Sequence, residues 1–436
     1  MALPTTLARY RSAVIYIHNE SPSGSMVDLA TLDGTTDSFL LTTPPAITQA
    51  GNYTDTNEIG SDLISGGRIL NYFEYATFDM EFYAKPGATV AVAPDEHTLL
   101  ANFFGATVST STTHTYSFAN KMQTMTLANL QATEESRQLF VVTGCVPTSL
   151  SVALAKDGPV TWTMGITGNH VYYGGVGEID SKTAGSGTDE YIISLAGPKR
   201  SEADQKPFAS DIVFDGETVE IVTSAGVSRG SADLPVSDSG VGENFTITDD
   251  SEANTVGTNI VAGDLVIPAL PEPTRSTNEG VGQQNVQVFL ANQNSPNASD
   301  ANTDLFNSAN ALNVTTISLD FDRGVTQPAL TEMSGSAFPP AIYVINQPAV
   351  TGSFSALLLP KHFRLPKAIA DSPNWALGVQ ITAPDGSSVI TFYMPAVHLE
   401  VPTIAEADGV SQLDISFALI AGDKATDTDK FKLIYS

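Results

Sequence analysis

Carboxylates are the side chains of this sequence whose number and placement most invite a chemical reading. Asp79 and Glu81 lie two residues apart in an alternating stretch, so a strand would set both on one face. Paired carboxylates can serve glycoside hydrolysis, where an acid and a base or nucleophile flank the scissile bond. They equally furnish the solvent face of a half-buried sheet. Asp423, Asp427 and Asp429 cluster oxygens of the kind that hold calcium, and Asp249, Asp250 and Glu252 do the same. The 423–429 loop lacks the spacing and glycine of an EF-hand, so both groups read first as solvated charged turns.

Other chemistry is sparse. His18, His97, His114, His170, His362 and His398 are scattered, with no pair at metal-ligand spacing. The single cysteine, Cys145, can build neither a thiolate zinc site nor an intramolecular disulfide, and it reads as a small buried hydrophobe. No Walker loop or H-E-x-x-H helix is present. Gly175-Val-Gly177 lacks the third glycine of a dinucleotide loop, with Asp180 in its place. Aromatic residues make up 8%, with only Trp162 and Trp375 among the tryptophans, which advertises no sugar-stacking platform. The expectation is a protein that is not an enzyme, with no cofactor and no metal.

Charge narrows the partners. Lysine and arginine total 20 against 48 aspartates and glutamates, a formal charge of -28. Phosphate contacts need cations, so such a chain repels nucleic acid rather than binding it. Charged residues make up only 16%, leaving a surface of neutral polar groups, while 42% apolar residues suffice for a sizeable core. The N-terminal segment lacks a signal-type apolar core, and no uncharged apolar run approaches the ~20 residues that span a bilayer. Synthesis in a cytoplasm without a membrane partner is expected.

The elements that must carry these residues are mostly strands. Phe78, Met80 and Phe82 alternate with Asp79 and Glu81, and Lys85-Pro86-Gly87 then ends the run as a turn. The pattern recurs at Leu150, Val152, Leu154; at Ile317, Leu319, Phe321; and at Leu413, Ile415, Phe417, Leu419. One short helix is expected over 95–104, with Asp95 as cap, Glu96 in the first turn, Gly105 as stop and Leu99, Leu100, Phe103 and Phe104 on one apolar face. A second is expected near 362–372, weakened by Pro366. Residues 201–300 hold 16 acids and 3 bases. Within them, 226–285 reads as an exposed insert with weak strands at 243–248 and 259–267, or as a disordered linker. Thr148–Gly158 is echoed by Thr316–Gly324, and Ala76–Phe82 by Gly352–Leu358, which suggests duplication. Two units are expected, 1–205 and 206–436, the second bearing the insert.

The segments 99–105, 143–168, 314–359 and 376–421, taken in that order, together resemble the tail tube (major tail) proteins of long-tailed bacteriophages. LLANFFG at 99–105 resembles the family's short helix ending in Phe-Gly, and TGCVPTSLSVALAKDGPVTWTMGITG at 143–168 its Gly-Cys strand start and strand pair. The stretch 314–359, with its GSF strand, resembles the late-domain pattern, and 376–421 the closing pair. The order and spacing of these blocks carry the likeness, and 226–285 fits it least. The resemblance implies β-sandwich or barrel-like units with a flanking helix. Their inner sheets would join between copies into stacked rings around a lumen that conducts DNA without specific binding. Three copies of a two-unit chain would make each ring, with a hexamer of single enlarged units as the alternative. The tape measure protein and other tail proteins would be the partners, in the virion, after synthesis in the host cytoplasm. Glu74, Asp79 and Glu81 are the candidate lumen-facing acids. A β-sandwich binding module, or a tail-tip adhesin recognising a surface glycan, is the alternative function.

Overall fold

The structure is a computed structural model that describes residues 13–25, 27, 29–55, 68–87, 92–132, 137–155, 159–175, 177–184, 190–195, 218–223, 228–233, 244–248, 256–268, 270–271, 281, 286–292, 305–327, 338–372, 374–383, 388–407, 409–420 and 431–436. These residues are mainly β. They form an eighteen-stranded sheet system, a six-stranded sheet and two two-stranded sheets.

The organising element is the 19-residue strand Arg137–Ala155. Its first part pairs with Met125–Ala132 and His170–Gly175, and its second with Thr161–Gly168 and Val314–Asp322. One strand can serve two sheets only if it bends. The bend falls at Gly144, whose φ of 61° a residue with a side chain rarely adopts. The ladder with Thr161–Gly168 also shifts register near Pro147. Glu20 pins this bend from below. Its buried carboxylate accepts from Gly144 N at 2.7 Å, Thr126 Oγ1 at 2.9 Å and Gly24 N at 2.6 Å.

Outward from the bend runs an antiparallel series. Its order is Ala76–Tyr83, Thr161–Gly168, the long strand, Val314–Asp322, Ala349–Leu357, Val410–Leu419 and Thr403–Ala407. Alternation puts Phe78, Met80, Phe82, Trp162, Leu319, Phe354 and Phe417 on one face, all buried in the main core. Each such side chain stabilises the fold by roughly 1.5–3 kcal/mol. Val389–Leu399 continues the system and carries the C-terminal strand Lys432–Tyr435, which also pairs with His114–Phe118. The last residues of the chain therefore tie an early hairpin to the late sheet.

The first helix spans His97–Phe104 and buries Leu99, Leu100, Phe103 and Phe104, as the pattern required. Gly105 ends it in the left-handed conformation at φ 83°. Asp95 does not cap it: the cap position is Glu96, which makes no side-chain capping bond. The second helix, Leu365–Asp371, accommodates Pro366 in its first turn, where a missing N–H costs nothing.

The six-stranded sheet gathers Gly177–Ala184, Glu190–Leu195, Thr218–Val222, Ser228–Asp233, Asn244–Thr248 and Leu265–Pro268 around its own small core. It thus draws strands from both sides of residue 205. Where a strand was expected over 259–267, a helical turn at Val256–Asn259 precedes a shorter strand. The echoed segments 148–158 and 316–324 contribute strands that pair directly, with Val152 opposite Leu319. Gly175 and Gly177 belong to successive strands, so no dinucleotide loop forms there. Among the described residues no helix is long and apolar enough to cross a membrane.

Candidate functional site

The face of the antiparallel series opposite the core is unusual in its side chains. Residues directly across a ladder share a face, so register alone assembles it. Ala76–Tyr83 contributes Thr77, Asp79, Glu81 and Tyr83, which lie opposite Thr167, Gly165, Thr163 and Thr161. The long strand adds Ser149, Ser151 and Ala153. Val314–Asp322 adds Thr316, Ser318, Asp320 and Asp322, and the next strand adds Thr351, Ser353 and Ser355. Val410–Leu419 closes the series with Gln412, Asp414, Ser416 and Ala418. Hydroxyls and carboxylates dominate, and no lysine, arginine or histidine stands among these positions.

The acids are also spaced. They sit on Ala76–Tyr83, Val314–Asp322 and Val410–Leu419, with hydroxyl-bearing strands between. At ~4.8 Å per strand, the first and second acidic strands lie roughly 14 Å apart, beyond a Debye length of about 10 Å at 0.1 M salt. No acid opposes another across a ladder, which avoids direct like-charge pairs. Hydroxyls hold the carboxylates instead. Ser151 Oγ donates to Asp320 Oδ1 at 2.8 Å, and Ser355 Oγ donates to Asp414 Oδ1 at 2.6 Å. Ser318 and Ser353 share a hydrogen bond at 3.0 Å. The result is a wide surface of mostly short polar side chains, with Tyr83 and Leu357 at one end, that offers a polyanion no cation among these positions.

Two of the three acids anticipated from the sequence, Asp79 and Glu81, stand on this face. Glu74 does not join them: it is exposed in the two-residue break before Ala76–Tyr83, where its backbone N–H donates to Ala50 O. Asp320, Asp322 and Asp414 belong to the face and were not anticipated. Their signal was in plain view, since each occupies the polar phase of a recognised alternating strand. Asp249, Asp250, Glu252, Asp423, Asp427 and Asp429 lie outside the described residues.

A second set of titratable groups is buried away from this face. Glu96 is 1% exposed, and Tyr435 Oη donates to its Oε1 at 2.6 Å. Burial pushes the Glu96 carboxyl up to about 8. Beside it, His97 Nδ1 and Tyr116 Oη are 2.7 Å apart, and the His97 and His114 rings meet at 6.1 Å. Burial holds the His97 imidazole below its ordinary value and the Tyr116 and Tyr435 hydroxyls above theirs. Glu96, His114, Tyr116 and Tyr435 are buried in this cluster, while His97 is partly exposed. Cys145 is fully buried with its thiol likewise pushed up by burial. Among the described residues no group of three or more histidine, cysteine, aspartate and glutamate side chains is placed to hold a metal ion.

Comparison of the sequence with protein-family models and with curated proteins returns no match.

Proposed function

We propose that this chain is a structural subunit of a bacteriophage tail tube, and that its hydroxyl- and carboxylate-lined sheet face borders the bore through which DNA passes. The observation that carries this reading is that no lysine, arginine or histidine stands among the described ladder positions of that face. A conduit must not retain its cargo, and a surface without lysine or arginine offers phosphates no counter-charge. Its acids repel the duplex, and its short side chains leave nothing to snag it.

Assembly has its own support. Thr403–Ala407 ends the series, pairing only with Val410–Leu419 among the described residues. Ile404 lies opposite the fully buried Leu413 yet is 68% exposed. The apolar face therefore runs past the edge of the molecule, and an open strand edge beside it calls for another strand. In this reading a neighbouring copy supplies that cover, and three copies close each ring. The tape measure protein and other tail proteins are its remaining partners in the virion.

Electron microscopy of the purified chain tests this. Rings or tubes with a hollow bore are the expected result. A species that stays strictly monomeric at high concentration, in every solvent tried, overturns it.

A further inference from the structure

Three of the chain's 20 lysines and arginines, Lys361, Arg364 and Lys367, fall within seven residues, and no aspartate or glutamate occurs from 333 to 370. In so acidic a sequence this is a local reversal of charge. The structure sets it on a short protrusion. After the strand Ala349–Leu357, a turn held by His362 Nδ1 against Leu357 O at 2.9 Å leads into the helix Leu365–Asp371. That helix buries Ile369 and packs Leu365 and Ala368 on the main core. Phe363 is left outside, 64% exposed, between the exposed Arg364 and the buried His362. Neither Arg364 nor Lys367 forms an ion pair among the described residues. Asp371 and Glu406 are the exposed acids on the elements nearest this end.

The position of this protrusion along the candidate face gives it meaning. It follows Leu357, so it projects from the end of the sheet where Tyr83, Thr316 and Gln412 lie. At the opposite end stand exposed Asp322 and, just before Ala76, exposed Glu74. One end of the sheet therefore carries exposed Arg364 and Lys367 with an aromatic tip, and the other carries exposed Glu74 and Asp322, with exposed Lys121 on the turn that the buried Arg323 holds. Two such ends are complementary when copies follow one another head to tail, and a contact of that type repeats indefinitely.

We propose that Phe363, with Arg364 and Lys367, docks on the Glu74 and Asp322 end of a second copy and joins copies along the bore. This rests on the tube reading above. A buried aromatic ringed by charge pairs is the usual anchor of a protein interface. A DNA duplex or an anionic bilayer would meet the whole chain with one sign of charge, and the 48 acids oppose that approach. A second copy presents its acids locally, where the cations meet them.

The test uses the full chain in four forms: unchanged, Phe363→Ser, Arg364→Glu with Lys367→Glu, and that double reversal combined with Glu74→Lys and Asp322→Lys. Thermal melting establishes that each is folded, and electron microscopy with sedimentation velocity reads the assemblies. The unchanged chain should stack into tubes. Phe363→Ser and the double reversal should stop at single rings, and the combined variant should stack again. Tubes of ordinary length from both Phe363→Ser and the double reversal overturn the proposal. So does failure of the folded combined variant to stack. Wild-type protein that binds duplex DNA or phosphatidylserine vesicles through Arg364 and Lys367 while remaining unstacked overturns the choice of partner. Absence of any ring from the unchanged chain overturns the tube reading itself, which is a distinct result.

Discussion

The Ser151 hydroxyl donates to Asp320 Oδ1 at 2.8 Å, joining residues 169 positions apart across the ladder that unites the early and late parts of the chain. The bond fixes an exposed carboxylate at the middle of the candidate face.

Cations introduced on this face should create affinity for DNA. Replacing Asp79, Asp320 and Asp322 together with lysine changes the local charge by six units. The variant should acquire non-specific affinity for duplex DNA that falls steeply with salt, since each phosphate contact releases counterions. Fluorescence anisotropy across a salt series reads this. The same three substitutions made at exposed acids off the face should bind much less DNA. Equal binding by both would show that overall charge, rather than this face, governs repulsion.

Gly352 should tolerate no side chain. It sits on the core side of its strand, where an added Cβ would lie 2.3 Å from Ser318 O and 2.5 Å from the Phe417 ring. The backbone contact cannot rotate away. Gly352→Ala is expected to lower stability by roughly 1–3 kcal/mol, as overpacked cores do. Chemical denaturation measures it, and an unchanged midpoint would show that the strand yields.

Much of this was legible in the sequence, for reasons that are local. The alternation of Phe78, Met80 and Phe82 with Asp79 and Glu81 is a period-two signal complete within eight residues. Gly105 ended its helix because a left-handed residue stops a helix wherever it occurs. What was not legible depended on distant partners. Asp95 and Glu96 looked like ordinary acids at a helix start. Only the fold brings Tyr435, 339 positions away, against the Glu96 carboxyl and draws it inward. Asp320 and Asp322 stood on a recognised strand, yet nothing local tells that this strand lies beside Ser149 and Ser151. Pro366 weakened a helix in the sequence reading because its place in the first turn could not be known.

Glu96 should make stability depend on pH. Its native pKa lies near 8 against an ordinary value of 4.5, so the folded chain holds this proton more tightly than the unfolded one. The favourable contribution is complete below about 4.5 and is lost as pH rises through about 8. Glu96→Gln keeps the shape without the titration. It should flatten the fall in melting temperature between pH 5 and 8, both chosen as roughly bracketing that window. Tyr435→Phe removes the donor to Glu96 and should cost about 1–3 kcal/mol. A Glu96→Gln profile parallel to wild type would place the pH dependence elsewhere.

Ile404 should matter to assembly and not to folding. At 68% exposed it contributes little to the core of an isolated chain. Ile404→Asp is expected to leave the melting temperature of dilute protein nearly unchanged while shifting sedimentation toward monomer. Equal assembly by the variant would show that the edge at Thr403–Ala407 is not a contact.

The most direct measurement is the orientation of the sheet in an assembled tube, by electron cryomicroscopy of the purified chain. The expected map places Asp79, Glu81 and Asp320 around the central bore, with Phe78, Phe82 and Phe321 behind them in the wall. A map with those carboxylates on the outer surface, or sealed between copies, would contradict the proposed role.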